Sequence, residues 1–169
     1  PMTAVFALLV VPSYLASNQN TFYYGSAYIF GEDTELGRDI AEIEEIFGKS
    51  DTYALMIPRG DKVREEQLSQ ALHEIPEVTG ILSYVDTVGA QIPEEYLDEE
   101  LLSQLLSKDY SRMVLTVDAD AAGEEAFALV DKIRETADTY YPDSWYLAGA
   151  GVSTYDLMDT ITADMVKVN

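Results

Sequence analysis

The chain offers few side chains that could act as a nucleophile or a general base. Its 169 residues include no cysteine and a single histidine, His73, so a thiol nucleophile and a cysteine-type zinc site are excluded. The G-x-S-x-G pattern of serine hydrolases and the H-E-x-x-H pattern of zinc proteases are both absent from the sequence. His73 adjoins Leu72 on a predicted amphipathic helix, where a solvated surface histidine is expected. The sequence therefore predicts no catalytic residue, no metal site and no cofactor.

Two other patterns resemble ligand-binding loops without completing them. Gly149, Gly151 and Thr154 follow a predicted strand in the manner of G-x-G-x-x-G, but the threonine replaces the third glycine and no further βαβ unit follows. An acidic cluster is similar to the start of a calcium loop, yet apolar residues stand at its fifth and twelfth positions. The cluster comprises Asp118, Asp120, Glu124 and Glu125. Weak calcium binding there is an alternative to a solvated helix start.

A group of aromatic residues lies at a predicted helix-to-strand turn. Its members are Tyr140, Tyr141, Trp145 and Tyr146. Aromatic rings that carry a polar atom line apolar ligand sites in many proteins, and they also pack in ordinary cores. These four residues are the candidate substrate-contacting side chains, with plain packing as the alternative.

Hydrophobic periodicity predicts an alternation of strands and helices. Short apolar runs bounded by turn residues predict strands at 53–57, 78–88, 113–117 and 145–148. Apolar positions at helical spacing predict helices at 33–48, 64–75 and 123–142, a Leu-rich helix from 93, and a last helix from 153 or 154. Apart from the Leu-rich helix, which is an extra insertion, this is the split βαβ order. The predicted fold is therefore α+β and ferredoxin-like, with four antiparallel strands and helices on one face.

Both ends of the chain carry apolar patterns. The run 4–16 contains no charge but is shorter than the roughly 20 residues that span a bilayer. Phe22, Tyr23 and Tyr24 follow it, and such aromatic residues collect at membrane–water interfaces. We expect 1–16 to be the end of a transmembrane helix, 17–152 an extracytoplasmic domain, and 153–169 the start of a helix leading into the next transmembrane segment. A buried N-terminal segment with core aromatics is the alternative.

The charge balance is strongly acidic. The chain has 31 Asp and Glu against 10 Lys and Arg, a formal net charge of -21 at pH 7. This charge repels phosphate backbones, which argues against nucleic acid as a partner. The low basic count agrees with a location outside the cytoplasm, although long loops cross the membrane largely irrespective of charge.

Four stretches carry a resemblance to a known family. They read "FYYGSAYIFGEDTELGRDIAEIEEIFGKSDTYALMIPRGD", "LHEIPEVTGILSYVDTVG", "LLSKDYSRMVLTVDADAAGEEAFALVDKIRE" and "YLAGAGVSTYDLMDTITADMVKVN". They lie between residues 22 and 169, so the resemblance extends over nearly the whole chain. The chain resembles the large extracytoplasmic, porter-like loop domain of MMPL-type exporters in the resistance-nodulation-division (RND) superfamily.

The resemblance implies a proton-driven exporter of lipids, drugs or other hydrophobic molecules in the cell membrane, with this domain on the extracytoplasmic side. It implies three partners: the membrane through the flanking helices, the hydrophobic substrate, and a second porter-like domain of the same transporter. The proton-relay residues of the family lie in membrane helices outside this sequence, so no catalytic residue is carried over.

The sequence thus leads to an expected function and two alternatives. The expected function is a porter-like domain, not an enzyme, that conducts or gates a hydrophobic substrate by moving relative to its partner domain. One alternative is an extracellular protein-interaction module of a membrane-anchored protein that transports nothing. The other is an acidic soluble hydrolase, against which the missing triad and metal spacings argue.

Overall fold

The structure is a computed structural model that describes residues 9–10, 12–13 and 34–168. Of the predicted transmembrane helix end at 1–16, only Leu9, Val10, Pro12 and Ser13 are described, and they are helical. The predicted interfacial aromatics Phe22, Tyr23 and Tyr24 lie outside the described residues. Within the described ranges, no helix is both long enough and apolar enough to cross a bilayer.

From Thr34 onward, the described chain contains six α-helices and four strands. The helices are α1 (Glu35–Phe47), α2 (Lys62–His73), α3 (Tyr84–Thr87), α4 (Glu99–Leu105), α5 (Glu124–Tyr140) and α6 (Ala150–Val168). The strands are β1 (Asp51–Pro58), β2 (Val78–Leu82), β3 (Tyr110–Val117) and β4 (Tyr146–Gly149).

The four strands form one antiparallel sheet in the order β2-β3-β1-β4. Helix α2 connects β1 to β2, and helix α5 connects β3 to β4. This order of strands and helices is the split βαβ arrangement. The predicted α+β, ferredoxin-like fold is confirmed, and the β2–β3 connection holds α3 and α4 where the sequence predicted one inserted helix.

The hydrophobic core lies between one face of the sheet and helices α2 and α5. Alternate side chains of β1 and β3 are buried in it: Tyr53, Leu55, Ile57, Met113, Leu115 and Val117. The helices contribute Leu68, Leu72, Leu129, Val130, Ile133 and Ala137. Because successive strand residues point to opposite faces, the intervening side chains of β1 and β3 lie on the other side of the sheet.

The predicted second strand at 78–88 is wrong in its second half. Strand β2 ends at Leu82, and Ser83 begins α3. The Ser83 hydroxyl accepts a hydrogen bond from the Asp86 backbone N–H at 3.2 Å, as an N-cap serine does. A short apolar run does not distinguish a strand from a helix, whereas this cap does.

The Leu-rich helix begins later than its predicted start at 93. Residues Glu94–Tyr96 form a single 3₁₀ turn, and α4 follows only after Asp98. The Asp98 carboxylate accepts a hydrogen bond from the Glu100 N–H at 2.8 Å and so caps α4. Leu105 is the one buried residue of α4, so this helix covers the start of β3 with only its last turn.

Helix α6 begins at Ala150, three residues or more before the predicted start. The Gly151 N–H donates to Asp51 Oδ2 at 2.9 Å, which satisfies one of the free N–H groups at the start of the helix. Asp51 lies 100 positions away in sequence, so no local pattern could predict this cap.

The glycines that resembled a nucleotide loop accommodate a core tyrosine. A Cβ atom at Gly149 would lie 2.5 Å from Tyr53 Cδ1, and one at Gly151 would lie 2.5 Å from the Tyr53 hydroxyl oxygen. Real Cβ atoms do not approach other atoms this closely. The two glycines are therefore explained by the ring of Tyr53, which is buried in the core.

Helix α1 matches the predicted amphipathic helix at 33–48. Thr34 caps it by accepting from the Gly37 N–H at 3.0 Å, and it ends at Gly48, whose φ is 78°. Leu36, Ile43 and Ile46 on this helix are exposed. Its apolar side chains therefore remain largely uncovered by the rest of the described chain.

Candidate functional site

The side of the sheet opposite the core is not covered by α2 or α5. Strand register and alternation place twelve residues there, which we call the open sheet face: Thr52, Ala54, Met56, Pro58, Gly80, Leu82, Tyr110, Arg112, Val114, Thr116, Tyr146 and Ala148. Most of these side chains are apolar or aromatic, and none is Asp or Glu. In a chain with 31 acidic residues, an acid-free apolar surface is a marked departure from the average composition.

Three aligned side chains form the middle of the open sheet face. Met56 on β1 lies opposite Arg112 on β3 and opposite Tyr146 on β4. The ring of Tyr146 also makes an edge-to-face contact with Tyr110, with 5.7 Å between the ring centroids. Met56 is 39% exposed, Tyr146 57% and Leu82 49%. The apolar atoms of this surface are therefore accessible to a ligand or a partner.

The phenol groups of Tyr110 and Tyr146 interact as well as their rings. The interaction with the Tyr146 side chain raises the pKa of Tyr110 above its ordinary value. The phenol of Tyr110 is thus neutral at physiological pH. Apart from Arg112, the open sheet face carries no charge.

The four predicted substrate-contacting aromatics do not share one surface. Tyr141 is buried, and burial raises the pKa of its phenol to about 12. Tyr140 and Trp145 are partly buried and pack against the core. Only Tyr146 lies on the open sheet face. The structure therefore separates Tyr146 from the other three residues by the thickness of the sheet.

The indole of Trp145 has a structural partner on α5. Its Nε1 donates to Asp138 Oδ1 at 3.1 Å, and the Asp143 backbone N–H donates to the same oxygen at 3.0 Å. The backbone hydrogen bond, followed by the indole, lowers the pKa of the Asp138 carboxyl. These contacts fix the turn between α5 and β4, which accounts for Trp145 without a ligand.

The sequence did not indicate Met56, Tyr110 or Arg112 as part of a surface. The signal that could have identified them is the composition of their strands. In β1 and β3 the residues between core positions include Ala54, Met56 and Val114, so both faces of each strand carry apolar side chains. Such strands indicate a sheet that contacts something on both sides.

A serine, a histidine and an aspartate do meet on the core side, which bears on the hydrolase alternative. Asp86 accepts hydrogen bonds from the hydroxyls of Ser69, at 2.7 Å, and Ser83, and lies 3.4 Å from His73 Nε2. A catalytic triad needs the imidazole between serine and carboxylate. Here the carboxylate is central, and no hydrogen bond joins either serine to His73 in the described structure. The arrangement anchors α3 to α2.

The acidic cluster at the start of α5 contains an ion pair. Lys49 Nζ lies 2.7 Å from Asp120 Oδ2, and this hydrogen bond raises the pKa of the lysine. Over the described ranges, no group of three His, Asp or Glu side chains is arranged to hold a metal ion. The geometry thus supplies no metal-ligand set at Asp118, Asp120, Glu124 and Glu125.

Polar contacts fasten α6 to α5 at the edge of the domain. Arg134 Nη2 lies 2.7 Å from Asp156 Oδ1, and the Tyr155 hydroxyl donates to Asp131 at 2.9 Å. The Tyr155 ring also packs on Phe127, with 5.1 Å between centroids. These contacts join the first turns of α6 to the body of the domain.

Comparison with known proteins gives no further guide to the site. Neither a model of a protein family nor a characterised protein matches the chain.

Proposed function

We propose that the chain is an extracytoplasmic, porter-like domain of an RND/MMPL-type membrane exporter, and that its open sheet face contacts the hydrophobic substrate. The exporter is proton-driven and carries lipids, drugs or other hydrophobic molecules. The domain acts without chemistry of its own, by moving relative to a second porter-like domain of the same transporter.

One observation carries this proposal: an exposed, apolar, acid-free sheet face on a chain of net charge -21. Contact with a hydrophobic molecule is favoured by roughly 25 cal/mol for each Å² of apolar surface that leaves water. Acidic groups would oppose such contact because they would lose hydration on burial. Their absence from this face, and not from the rest of the chain, supports an apolar ligand there.

The fastening of α6 supports the mechanical part of the proposal. If α6 leads into a membrane helix, the Arg134–Asp156 and Tyr155–Asp131 contacts make the start of that helix move with the domain. Movement of membrane helices would then change the position of the open sheet face relative to the partner domain. The domain thereby gates the substrate without an active site.

Replacing Met56 by glutamate tests the substrate-contacting face. A neutral amphiphile such as decyl maltoside, below its micelle concentration, is expected to shift the amide NMR signals of Met56, Val114 and Ala148 saturably. Met56→Glu is expected to weaken this binding about ten-fold, because a charge must then be desolvated in the contact.

Val63→Glu is the matched control for Met56→Glu. Val63 is an exposed apolar residue on α2, away from the open sheet face, so its replacement introduces the same charge without touching the surface. Both variants should keep the parent pattern of dispersed amide signals. Absence of saturable shifts on the open sheet face in the parent chain would remove the support for a substrate-contacting role.

Helix α1 favours the second candidate function, a protein-interaction module of a membrane-anchored protein. Its exposed Leu36, Ile43 and Ile46 form an amphipathic surface of the kind that partner proteins bind. The two candidates differ in the sequence that flanks the chain in its gene. An exporter requires many apolar spans of about 20 residues, whereas an anchored module requires one or a few.

A further inference from the structure

Arg112 is an unpaired cation in a strongly acidic protein. Six other cations of the described chain make ion pairs with carboxylates: Lys49, Arg59, Lys62, Arg64, Lys132 and Arg134. Arg112 makes no ion pair or hydrogen bond with any side chain in the part of the chain that the structure describes. Arg38 on α1 and Lys108 also make no ion pair in the described structure, but of these three cations only Arg112 lies on a strand of the sheet, within the acid-free face.

Arg112 differs from the other two cations in its position. It lies at the centre of the acid-free surface, directly opposite Met56 on β1 and between Tyr110 and Val114 on its own strand. Along a strand, residues on the same face are about 7 Å apart. The guanidinium group is therefore bordered by apolar and aromatic side chains, and no acidic side chain of the described residues forms an ion pair with it.

We infer that the ligand of the open sheet face is an amphiphile with an anionic head group, whose carboxylate or phosphate is bound by Arg112 and whose hydrocarbon chain lies over Met56, Val114 and Tyr146. This inference rests on the proposed function and adds to it the charge class of the substrate. Arginine suits the task because its planar guanidinium donates two parallel hydrogen bonds to a carboxylate or a phosphate.

Charge complementarity selects an anion in spite of the net charge of the protein. The long-range field of a chain with net charge -21 repels anions and attracts cations, so non-specific binding would favour cationic amphiphiles. Salt screens that field over about 10 Å at ordinary ionic strength. Within that distance the guanidinium determines whether anions or cations bind more tightly. A preference for anions measured on the open sheet face would therefore be a local property of that face.

Binding of amphiphiles of matched chain length tests the inference. The 169-residue chain is titrated with decanoate, decyl phosphate, decyl maltoside and decyltrimethylammonium as monomers, at one ionic strength, while the amide signals of Met56, Val114 and Ala148 are followed. The two anions are expected to bind about five-fold more tightly than the neutral compound. That factor corresponds to about 1 kcal/mol, the upper range for an exposed ion pair.

Arg112→Ala is expected to abolish the preference of the face for anionic over neutral amphiphiles, and Arg112→Lys should retain part of that preference. Arg38→Ala on α1 is the matched control, since it removes the same charge from a residue away from the sheet. It is expected to leave all affinities unchanged.

The other outcomes separate the inference from the proposed function. If neutral and anionic amphiphiles bind the face equally, with or without Arg112, the inference is overturned and the substrate-contacting role stands. If no amphiphile binds the face, both fail. Tightest binding of decyltrimethylammonium at these same amides would overturn the inference.

Inorganic phosphate and acetate distinguish the head group from a free anion. We expect neither to shift the three amides at concentrations that saturate with decyl phosphate and decanoate, because the hydrocarbon chain supplies most of the binding energy. Equal shifts from the free anions would show a simple anion site and would overturn the assignment of an amphiphile.

Discussion

Gly151→Ala is expected to lower the free energy of unfolding by about 2 kcal/mol, within the range that overpacking costs in a filled core. The new methyl group would lie 2.5 Å from the Tyr53 hydroxyl oxygen and 3.1 Å from Asp51 Oδ2. Alanine is a better helix former than glycine, but Gly151 occupies the first turn of α6, where that gain is small. The steric cost of the new methyl group therefore exceeds the gain in helix propensity.

Tyr53→Phe should rescue most of this loss. The Tyr53 hydroxyl is fully buried and has no hydrogen-bond partner in the described structure, and burial raises its pKa to about 12. Removing an unsatisfied buried hydroxyl costs little and can stabilise a protein. In the double variant the atom that obstructs the new methyl group is absent, so we expect a coupling energy of about 1 kcal/mol or more.

Gly149→Ala is the comparison that makes the rescue informative. Its methyl group would meet Tyr53 Cδ1 at 2.5 Å and the backbone oxygen of Thr52 at 2.9 Å, and Tyr53→Phe moves neither atom. We expect a loss of about 3 kcal/mol that Tyr53→Phe does not reduce. Urea unfolding of the single and double variants measures each value. Equal rescue of both glycine variants would show that the hydroxyl is not what Gly151 accommodates.

The sequence predicted those elements whose signals are local. Apolar residues alternate in 113–117, which identified β3, and a short apolar run bounded by turn residues at 53–57 identified β1. The order of strands and helices then indicated the fold. The start of α6 was not predictable because its cap, Asp51, is distant in sequence. The end of β2 was missed because Tyr84 and Val85 read equally well as strand or helix, and only the Ser83 cap separates the two.

The candidate surface was less predictable than the fold. Aromatic composition grouped Tyr146, which is exposed, with Tyr141, which is buried in the core. Neighbouring residues at a strand start alternate between faces, so a cluster in sequence need not be a cluster in space. Arg112 gave no signal because its significance lies in the absence of an acidic neighbour, which only the packing of strands reveals.

Ser111→Ala is expected to cost about 2 kcal/mol in unfolding free energy at pH values above the folded-state pKa of Glu65, by leaving a buried carboxylate without its hydrogen bond. Ser111 on β3 is fully buried, and its hydroxyl donates to Glu65 Oε1 on α2 at 2.9 Å. Glu65 is itself only 3% exposed. Hydrogen bonds to charged groups contribute about 1.5–3 kcal/mol, against about 0.5–1.5 for neutral pairs.

The protonation state of Glu65 makes this cost depend on pH. Burial raises the pKa of the Glu65 carboxyl, with Asp86 and Glu94 adding to the rise, while the Ser111 hydrogen bond and Lys62 lower it. A carboxyl whose pKa is raised on folding holds its proton more tightly in the folded state. The contribution of Glu65 protonation to the free energy of unfolding is therefore complete below the ordinary Glu pKa of about 4.3. This contribution is lost as the pH rises through the folded-state pKa.

Glu65→Gln isolates this contribution from the titration of the other carboxylates. The glutamine keeps an oxygen that accepts from Ser111 but carries no charge, so the stability of this variant relative to the parent should increase as the pH rises from the ordinary Glu pKa through the folded-state pKa of Glu65. In the Glu65→Gln background, Ser111→Ala should cost about 1 kcal/mol at every pH, the value for a neutral pair. If Ser111→Ala still costs about 2 kcal/mol in the Glu65→Gln background, the charge of Glu65 does not contribute to the cost. That result would contradict the assignment of the cost to a charged hydrogen bond. In the parent background, the cost of Ser111→Ala should fall to about 1 kcal/mol at acid pH, where Glu65 is protonated. A cost that changes with pH in the parent but not in the Glu65→Gln background would identify the buried carboxylate as the origin of the pH dependence.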